Sequence, residues 1–116
     1  MILATLRMTV RPEMRNDLLK TVIGMLEPSR VEKGCLSYRL YEDVENSNAL
    51  FLVEEWKTQK DLDNHIRSDN QRRLLVLMDF LSEKPELRFN TVLKTAGMEL
   101  IEDVLNLDRT IHRTVQ

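Results

Sequence analysis

From Ile2 to Val10 the apolar residues Ile2, Ala4, Leu6, Met8 and Val10 alternate with Leu3, Thr5, Arg7 and Thr9. A period of two marks a strand with one strongly buried face. Pro12 follows, at a position where a helix tolerates the missing N–H because that group would be unpaired anyway. Met14, Leu18, Val22, Met25 and Leu26 then recur at spacings of three and four, which predicts a helix over 12–26. Pro28 is expected to disrupt it, and Lys33-Gly34 to turn the chain. In the next strand, over 34–43, Leu36, Tyr38, Leu40 and Glu42 share one face, and Ser37, Arg39 and Tyr41 share the other. The polar run Val44-Glu45-Asn46-Ser47-Asn48 predicts a hairpin connection. Residues 49–57 form a strand that is apolar on both sides, with Leu50 and Leu52 on one and Phe51 and Val53 on the other. Such a strand has to be covered twice.

The second half changes period again. Thr58 and Asp61 form a capping box that opens a short helix with Leu62 and Ile66 inward. Ser68 or Asp69 caps another helix, whose stripe is Leu74, Leu77, Met78 and Leu81, and Pro85 ends it. Residues 86–95 alternate once more, with Leu87, Phe89, Thr91 and Leu93 on one face. After Gly97 a short amphipathic helix over 98–106 carries Leu100, Ile101, Val104 and Leu105, and the polar tail beyond it, which holds His112, is expected to fray. The order is βαββαβ plus a terminal helix: an α+β, ferredoxin-like antiparallel sheet with helices on one face only. The division expected is 1–96 for this unit, with 97–116 as its C-terminal helix and tail. The chain has no second layer for Phe51 and Val53. A homodimer through the bare sheet face is therefore expected, because large exposed apolar patches are rare on soluble monomers. The terminal helix is expected to pack, over an open edge or end of the barrel or on the partner subunit.

Composition removes several classes. With 116 residues the chain makes one domain with one core, and 42% hydrophobic with 31% charged residues is ordinary globular composition. A net charge of −2 and no basic patch beyond Arg72-Arg73 argue against a nucleic-acid partner. No apolar run approaches the roughly 20 residues that span a bilayer, and the first residues lack a leader's basic and apolar segments. No membrane partner and a cytoplasmic location are the expectations. Cys35 is the only cysteine and reads as a small hydrophobe rather than a nucleophile. His65 and His112 are too far apart for a ligand set, so no metal is expected.

Gly34 to Met78 carries the most specific pattern: a strand opening on Gly34, a polar turn, a second strand ending in Glu54-Glu55-Trp56, and a capped helix bearing His65. This order resembles the antibiotic biosynthesis monooxygenase (ABM) family, over roughly Ile2 to Val92. The resemblance implies a dimeric α+β barrel with a cleft between sheet and helices in each subunit. It also implies one of several chemistries: oxygenation of phenolic polycycles or quinols without metal or flavin, haem breakdown, or isomerisation of a small signalling sugar. Trp56 matches the tryptophan of the polyketide-oxidising members, but Leu52 and Leu62 stand where those have an asparagine and a tyrosine. Leu75 stands at the haem-ligand histidine. His65 matches the first of a histidine pair found in many members, and Asn70 stands at the second.

The candidates follow from residue chemistry. An imidazole titrates near neutrality, so His65 is a candidate general base toward a phenol or enolisable carbon. Asp61 and Asp69, one turn away on either side, are candidates to orient it. The alternative for His65 is a partly buried histidine bonded to a backbone carbonyl. Trp56 is a cleft wall or a packing residue. Glu54 is a second base or the partner of Arg39 across the hairpin or of the other subunit. Tyr38, Glu54, Asn70, Arg88 and Asn90 are candidate substrate-binding groups. Three functions fit: a cofactor-free monooxygenase acting on a quinol or other electron-rich aromatic, a small-molecule isomerase or ligand-binding dimer, and a purely structural barrel. Polar groups converging on His65 favour an enzyme, and a cavity filled by Leu52, Leu62 and Leu75 favours the structural protein.

Overall fold

The computed structural model describes the backbone of residues 1–115 and the side chains of residues 1–106. Strand β1 (Ile2–Thr9) leads through a 3-10 turn (Pro12–Met14) into α1 (Arg15–Arg30). The hairpin β2 (Cys35–Asp43) and β3 (Asn46–Trp56) comes next, then α2 (Gln59–Ile66), α3 (Asp69–Leu77) with a 3-10 turn over Met78–Phe80, β4 (Glu86–Thr91) and α4 (Met98–Val115). The sheet order is β2-β3-β1-β4 with every neighbouring pair antiparallel. This is the βαββαβ arrangement expected from the periodicity.

One face of the sheet carries the core. In β1 the side chains of Ile2, Ala4, Leu6 and Met8 are buried and those between them are half-exposed. Opposite them in register lie Trp56, Glu54, Leu52 and Leu50 of β3. Leu18, Val22 and Met25 of α1, Leu62 of α2 and Leu74 of α3 close over this face. Each such side chain, when fully buried, stabilises by about 1.5–3 kcal/mol. Phe51 and Val53 point to the other face and stay half-exposed. Arg7 pairs with Asp43 at 3.0 Å, and Arg15 pairs with Glu42, tying the hairpin end to the body.

Several boundaries depart from the sequence pattern. Helix α1 passes through Pro28 and runs to Arg30. Near the C-terminal end Pro28 removes a single intrahelical bond, and buried Met25 and Ser29 hold that turn to the sheet. Leu36 is exposed rather than sharing a face with Tyr38, because a bulge between Cys35 and Ser37 turns it outward. The hairpin turn is tighter than expected, since Asp43 already pairs with Asn46. Strand β4 ends at Thr91 instead of 95, because its neighbour β1 has run out: the last bond is Val92 N–H to Met1 O at 2.9 Å. Leu87 and Phe89 fall on the helix side by register, yet both remain half-exposed. Helix α4 extends well past Asn106 to Val115, so the segment expected to fray is helical. Its described side chains, Leu100, Ile101, Val104 and Leu105 included, are exposed. His112 lies outside the described side chains.

Candidate functional site

The site forms where the C-terminal end of β3 meets α2. Alternation along β3 sends Leu52, Glu54 and Trp56 inward. Tyr38 lies opposite Glu54 across the β2–β3 ladder and is buried with it. The capping box forms as predicted: the Thr58 hydroxyl accepts from the Asp61 N–H at 3.1 Å and donates to the Asp61 carboxylate at 2.8 Å. That start phases α2 so that Asp61, Leu62 and His65 face inward. Ile66, expected inward, is 40% exposed, while His65 takes the buried place at 2%. The helix stripe contains a histidine where hydrophobicity alone places an isoleucine.

His65 sits in an aromatic slot with a carboxylate on each side. Its ring stacks on Trp56, with centroids 4.5 Å apart at 27°, and meets Tyr38 edge-on at 5.6 Å and 69°. Nδ1 lies 2.8 Å from Oε2 of Glu32, and Nε2 lies 3.5 Å from Oε1 of Glu54. The nearer contact is a good hydrogen bond; the farther is too long for one. Glu54 Oε1 accepts from the indole N–H of Trp56 at 2.9 Å. Burial pushes the Glu54 carboxyl above its ordinary range; the Trp56 N–H and then His65 oppose this, and the Glu32 charge adds to it. Burial likewise pushes the Tyr38 phenol up, with the charge on Glu54 next in weight, while the neighbouring Ser29 hydroxyl pulls the other way. The Tyr38 and Ser29 oxygens nevertheless do not reach hydrogen-bond geometry, and both are buried without a partner among the described residues, as is His65 Nε2. Buried polar atoms without partners are costly, about 1–3 kcal/mol each, and such atoms mark places where a water or ligand would bind.

The sequence-derived candidates divide in two. His65, Trp56, Tyr38 and Glu54 come together. Arg88 and Asn90 do not: they pair with Thr5 and Leu3 and so lie on the bare face, across the sheet from the imidazole. Asn70 is half-buried at the start of α3 and makes no hydrogen bond, ion pair or ring contact with the cluster among the described residues. Neither expected aspartate orients the ring. The Asp61 carboxylate is taken by the cap, and Asp69 is exposed beside Arg72 at 3.7 Å. Glu54 does not meet Arg39, which pairs with Val53 and lies on the opposite face. Leu75 is exposed, so it fills no cavity there, whereas Leu52 and Leu62 are core.

The residue that sequence reasoning missed is Glu32. It lies in the turn between α1 and β2, 33 residues from His65. Gly34 takes φ +80° there, and its carbonyl accepts from Lys57 N–H at 2.8 Å. A Cβ at Gly34 would fall 2.1 Å from the Asp61 carboxylate, so only glycine lets this turn sit against α2 and bring Glu32 to the imidazole. A groove of about 660 Å³ runs along the outer edge of β2, lined by Leu26, Arg30, Leu36, Leu40 and Tyr41 and reaching Tyr38. Arg30 Nε donates to the Tyr38 carbonyl at 3.0 Å in this groove. The Cys35 thiol, also there, is pushed up to about 11 by burial and the nearby glutamates, which suits an inert residue. Among the described residues no three His, Cys, Asp or Glu side chains are grouped to hold a metal ion. Among the described residues no helix is long and apolar enough to cross a membrane.

Comparisons with known proteins agree with this architecture. An uncharacterised protein of Synechocystis is 30% identical over 78 residues, which is 67% of this chain and 49% of that protein. YcnE of Bacillus subtilis, provisionally named a monooxygenase, is 31% identical over 65 residues, 56% of this chain and 68% of that one. The chain thus spans about half of the first relative's length and about two thirds of the second's. The solved structure of Rv0793 from Mycobacterium tuberculosis superposes with a TM-score of 0.76 at 27% identity, covering 83% of this chain and 98% of that one. A family model described as antibiotic biosynthesis monooxygenase matches residues 1–75, the span that contains every member of the His65 cluster, and the chain belongs to that family.

Proposed function

We propose that this protein is a cofactor-independent monooxygenase acting on a quinol or other electron-rich aromatic, with His65 as its general base. The observation that carries this reading is the state of the imidazole: Nδ1 is engaged by a carboxylate, and Nε2 is buried with no partner. A ring held in that way offers one free nitrogen to a substrate proton, the arrangement general-base catalysis needs. Taking a phenolic proton leaves an electron-rich anion that can reduce dioxygen directly. Trp56 and Tyr38 are aromatic walls against which such a ring would stack. Glu54 stands 3.5 Å from Nε2, beside the position a substrate oxygen would take. His65 is 2% exposed, so a substrate reaches Nε2 only after a neighbouring side chain moves.

A homodimer is part of the same reading. Phe51 and Val53 on the bare face and the apolar stripe of α4 are surfaces that a second copy would cover. The competing reading, a ligand-binding or structural dimer, is favoured by one observation: Leu52 and Leu62 pack solidly where polar groups would enlarge a cleft. The test is oxygen uptake by metal-stripped protein against a panel of quinols and hydroxylated aromatics. Uptake dependent on substrate and enzyme supports the oxygenase. Saturable binding of the same compounds without uptake transfers the reading to the binding protein.

A further inference from the structure

Helix α4 is amphipathic, and its apolar stripe of Leu100, Ile101, Val104 and Leu105 is about half-exposed. The chain is drawn out to 62 Å along its longest axis, with a radius of gyration of 19.0 Å. A compact chain of this length has about 13 Å, so α4 projects rather than folding back. Residues 98–106 hold Glu99, Glu102 and Asp103 and no basic residue. At about 100° per residue, Asp103 falls beside Leu100 and Glu102 beside Leu105, which puts one acid on each side of the stripe.

The groove along the edge of β2 is its complement. Exposed Leu36 and Tyr41 and half-buried Leu26 and Leu40 line it. Arg30 of α1 borders it on the helix side, and Arg39 borders it on the side of the bare sheet face. Arg39 makes no ion pair among the described residues, and Arg30 holds exposed Glu27 at 2.6 Å besides the Tyr38 carbonyl. Register sets where α4 leaves the sheet. Thr91, the last residue of β4, lies opposite Ile2, Ile2 opposite Trp56, and Trp56 opposite Cys35. The end of β4 is therefore level with the Cys35 end of the groove, on the opposite edge of the sheet.

We propose that the β2-edge groove is the docking site for α4 of a second copy of this chain, the two helices being exchanged in a twofold dimer. The inference rests on the homodimer reading and adds to it which surfaces meet. A twofold axis along the strands, between bare faces about 10 Å apart, keeps each residue's level and reverses the order of the strands. The end of β4 in one chain then comes to the Cys35 end of β2 in the other. Residues 92–97 reach up to about 20 Å, enough to lead α4 round the edge and into the groove. There the stripe covers Leu36, Leu40 and Tyr41, while Glu102 and Asp103 flank Arg30 and Arg39. The docked helix also backs Tyr38, whose ring meets His65 edge-on, so the partner completes that wall of the cluster. Exchange is mutual, as a twofold requires.

The experiment is disulfide trapping between two co-expressed full-length chains that both carry Cys35→Ser. One also carries Leu36→Cys in the groove and the other Val104→Cys on the stripe, both at exposed positions. Oxidation with copper phenanthroline should join the two different chains, as read by mass spectrometry of the linked peptides. The product should form at least tenfold faster than when Glu99→Cys, on the opposite side of the helix, replaces Val104→Cys. A light-scattering mass of two chains with a rate no faster than that control overturns the docking and leaves the homodimer reading standing. A mass of one chain overturns both. A single chain bearing Leu36→Cys and Val104→Cys together should give linked chains; closure within one chain places α4 on its own groove and overturns the exchange.

Discussion

The two faces of one sheet have opposite fates. Leu50, Leu52, Glu54 and Trp56 alternate along β3 with Phe51, Val53 and Glu55, one residue apart in sequence and on opposite sides of the same backbone. The first set is sealed under α1, α2 and α3 and contains a charged and aromatic cluster with three unpartnered polar atoms. The second set is half-exposed and holds a shallow hollow of about 220 Å³ between Ser37, Arg39, Tyr41, Val53 and Glu55. A chain this small has helices for one face only. The covered face can keep polar groups dry enough to shift their protonation, whereas the other leaves its apolar side chains half-exposed.

Substitutions should break this contrast in order of size. Trp56→Ala removes a fully buried indole together with its stack on His65, and should lower unfolding free energy by about 3–5 kcal/mol in urea titrations. Leu52→Ala should cost about 2–5 kcal/mol, independent of protein concentration. Its neighbour Val53→Asp should behave differently: light scattering should show the apparent mass falling from about twice the 13.7 kDa chain to one chain, with secondary structure kept. If Val53→Asp unfolds the chain as Leu52→Ala does, the two faces are not distinct. Gly34→Ala comes next, at about 1–3 kcal/mol, because it strains a positive-φ turn and collides with Asp61. It should also disturb the His65 ring signals, since the same turn carries Glu32.

The smallest effect is a pH dependence. Burial raises the Glu54 carboxyl in the folded state, so the folded protein holds this proton more tightly than the unfolded chain. The stability associated with it is complete below the unfolded carboxylate range and is lost as pH rises through the folded value. Glu54→Gln should therefore flatten the decline between acid and neutral pH and gain about 1.4 kcal/mol at neutrality for each unit by which the carboxyl is raised. Chemical denaturation at several pH values checks it, and an unchanged slope in the variant would remove the burial argument.

Alternation and caps made most of the frame readable. The Ile2–Val10 pattern, the doubly apolar β3 and the Thr58 box each became the element they predict, because each depends on neighbours within a few residues. The misreadings have nonlocal causes. Strand β4 ends where β1 begins, which no residue of β4 records. Leu36 is turned out by a bulge, and Ile66 loses the core to His65 because the cap fixed the phase of α2. Glu32 was hidden by its separation of 33 residues, yet one signal pointed to it. An antiparallel β2–β3 hairpin sets Cys35 opposite Trp56, so the turn before β2 must lie beside the start of α2. Arg88 and Asn90 lie apart from His65 for a simpler reason, since residue type alone does not reveal which face of the sheet is covered.

The central claim is that the sealed imidazole is a working base. Its most direct measurement is the rate of oxygen consumption with an active quinol by wild type and His65→Ala, both stripped of metal and both checked for an intact fold. The account predicts a loss of about a hundredfold or more, the usual share of a general base. Turnover in His65→Ala equal to that of wild type would contradict it, and would make the stacked, carboxylate-flanked ring a feature of the core alone.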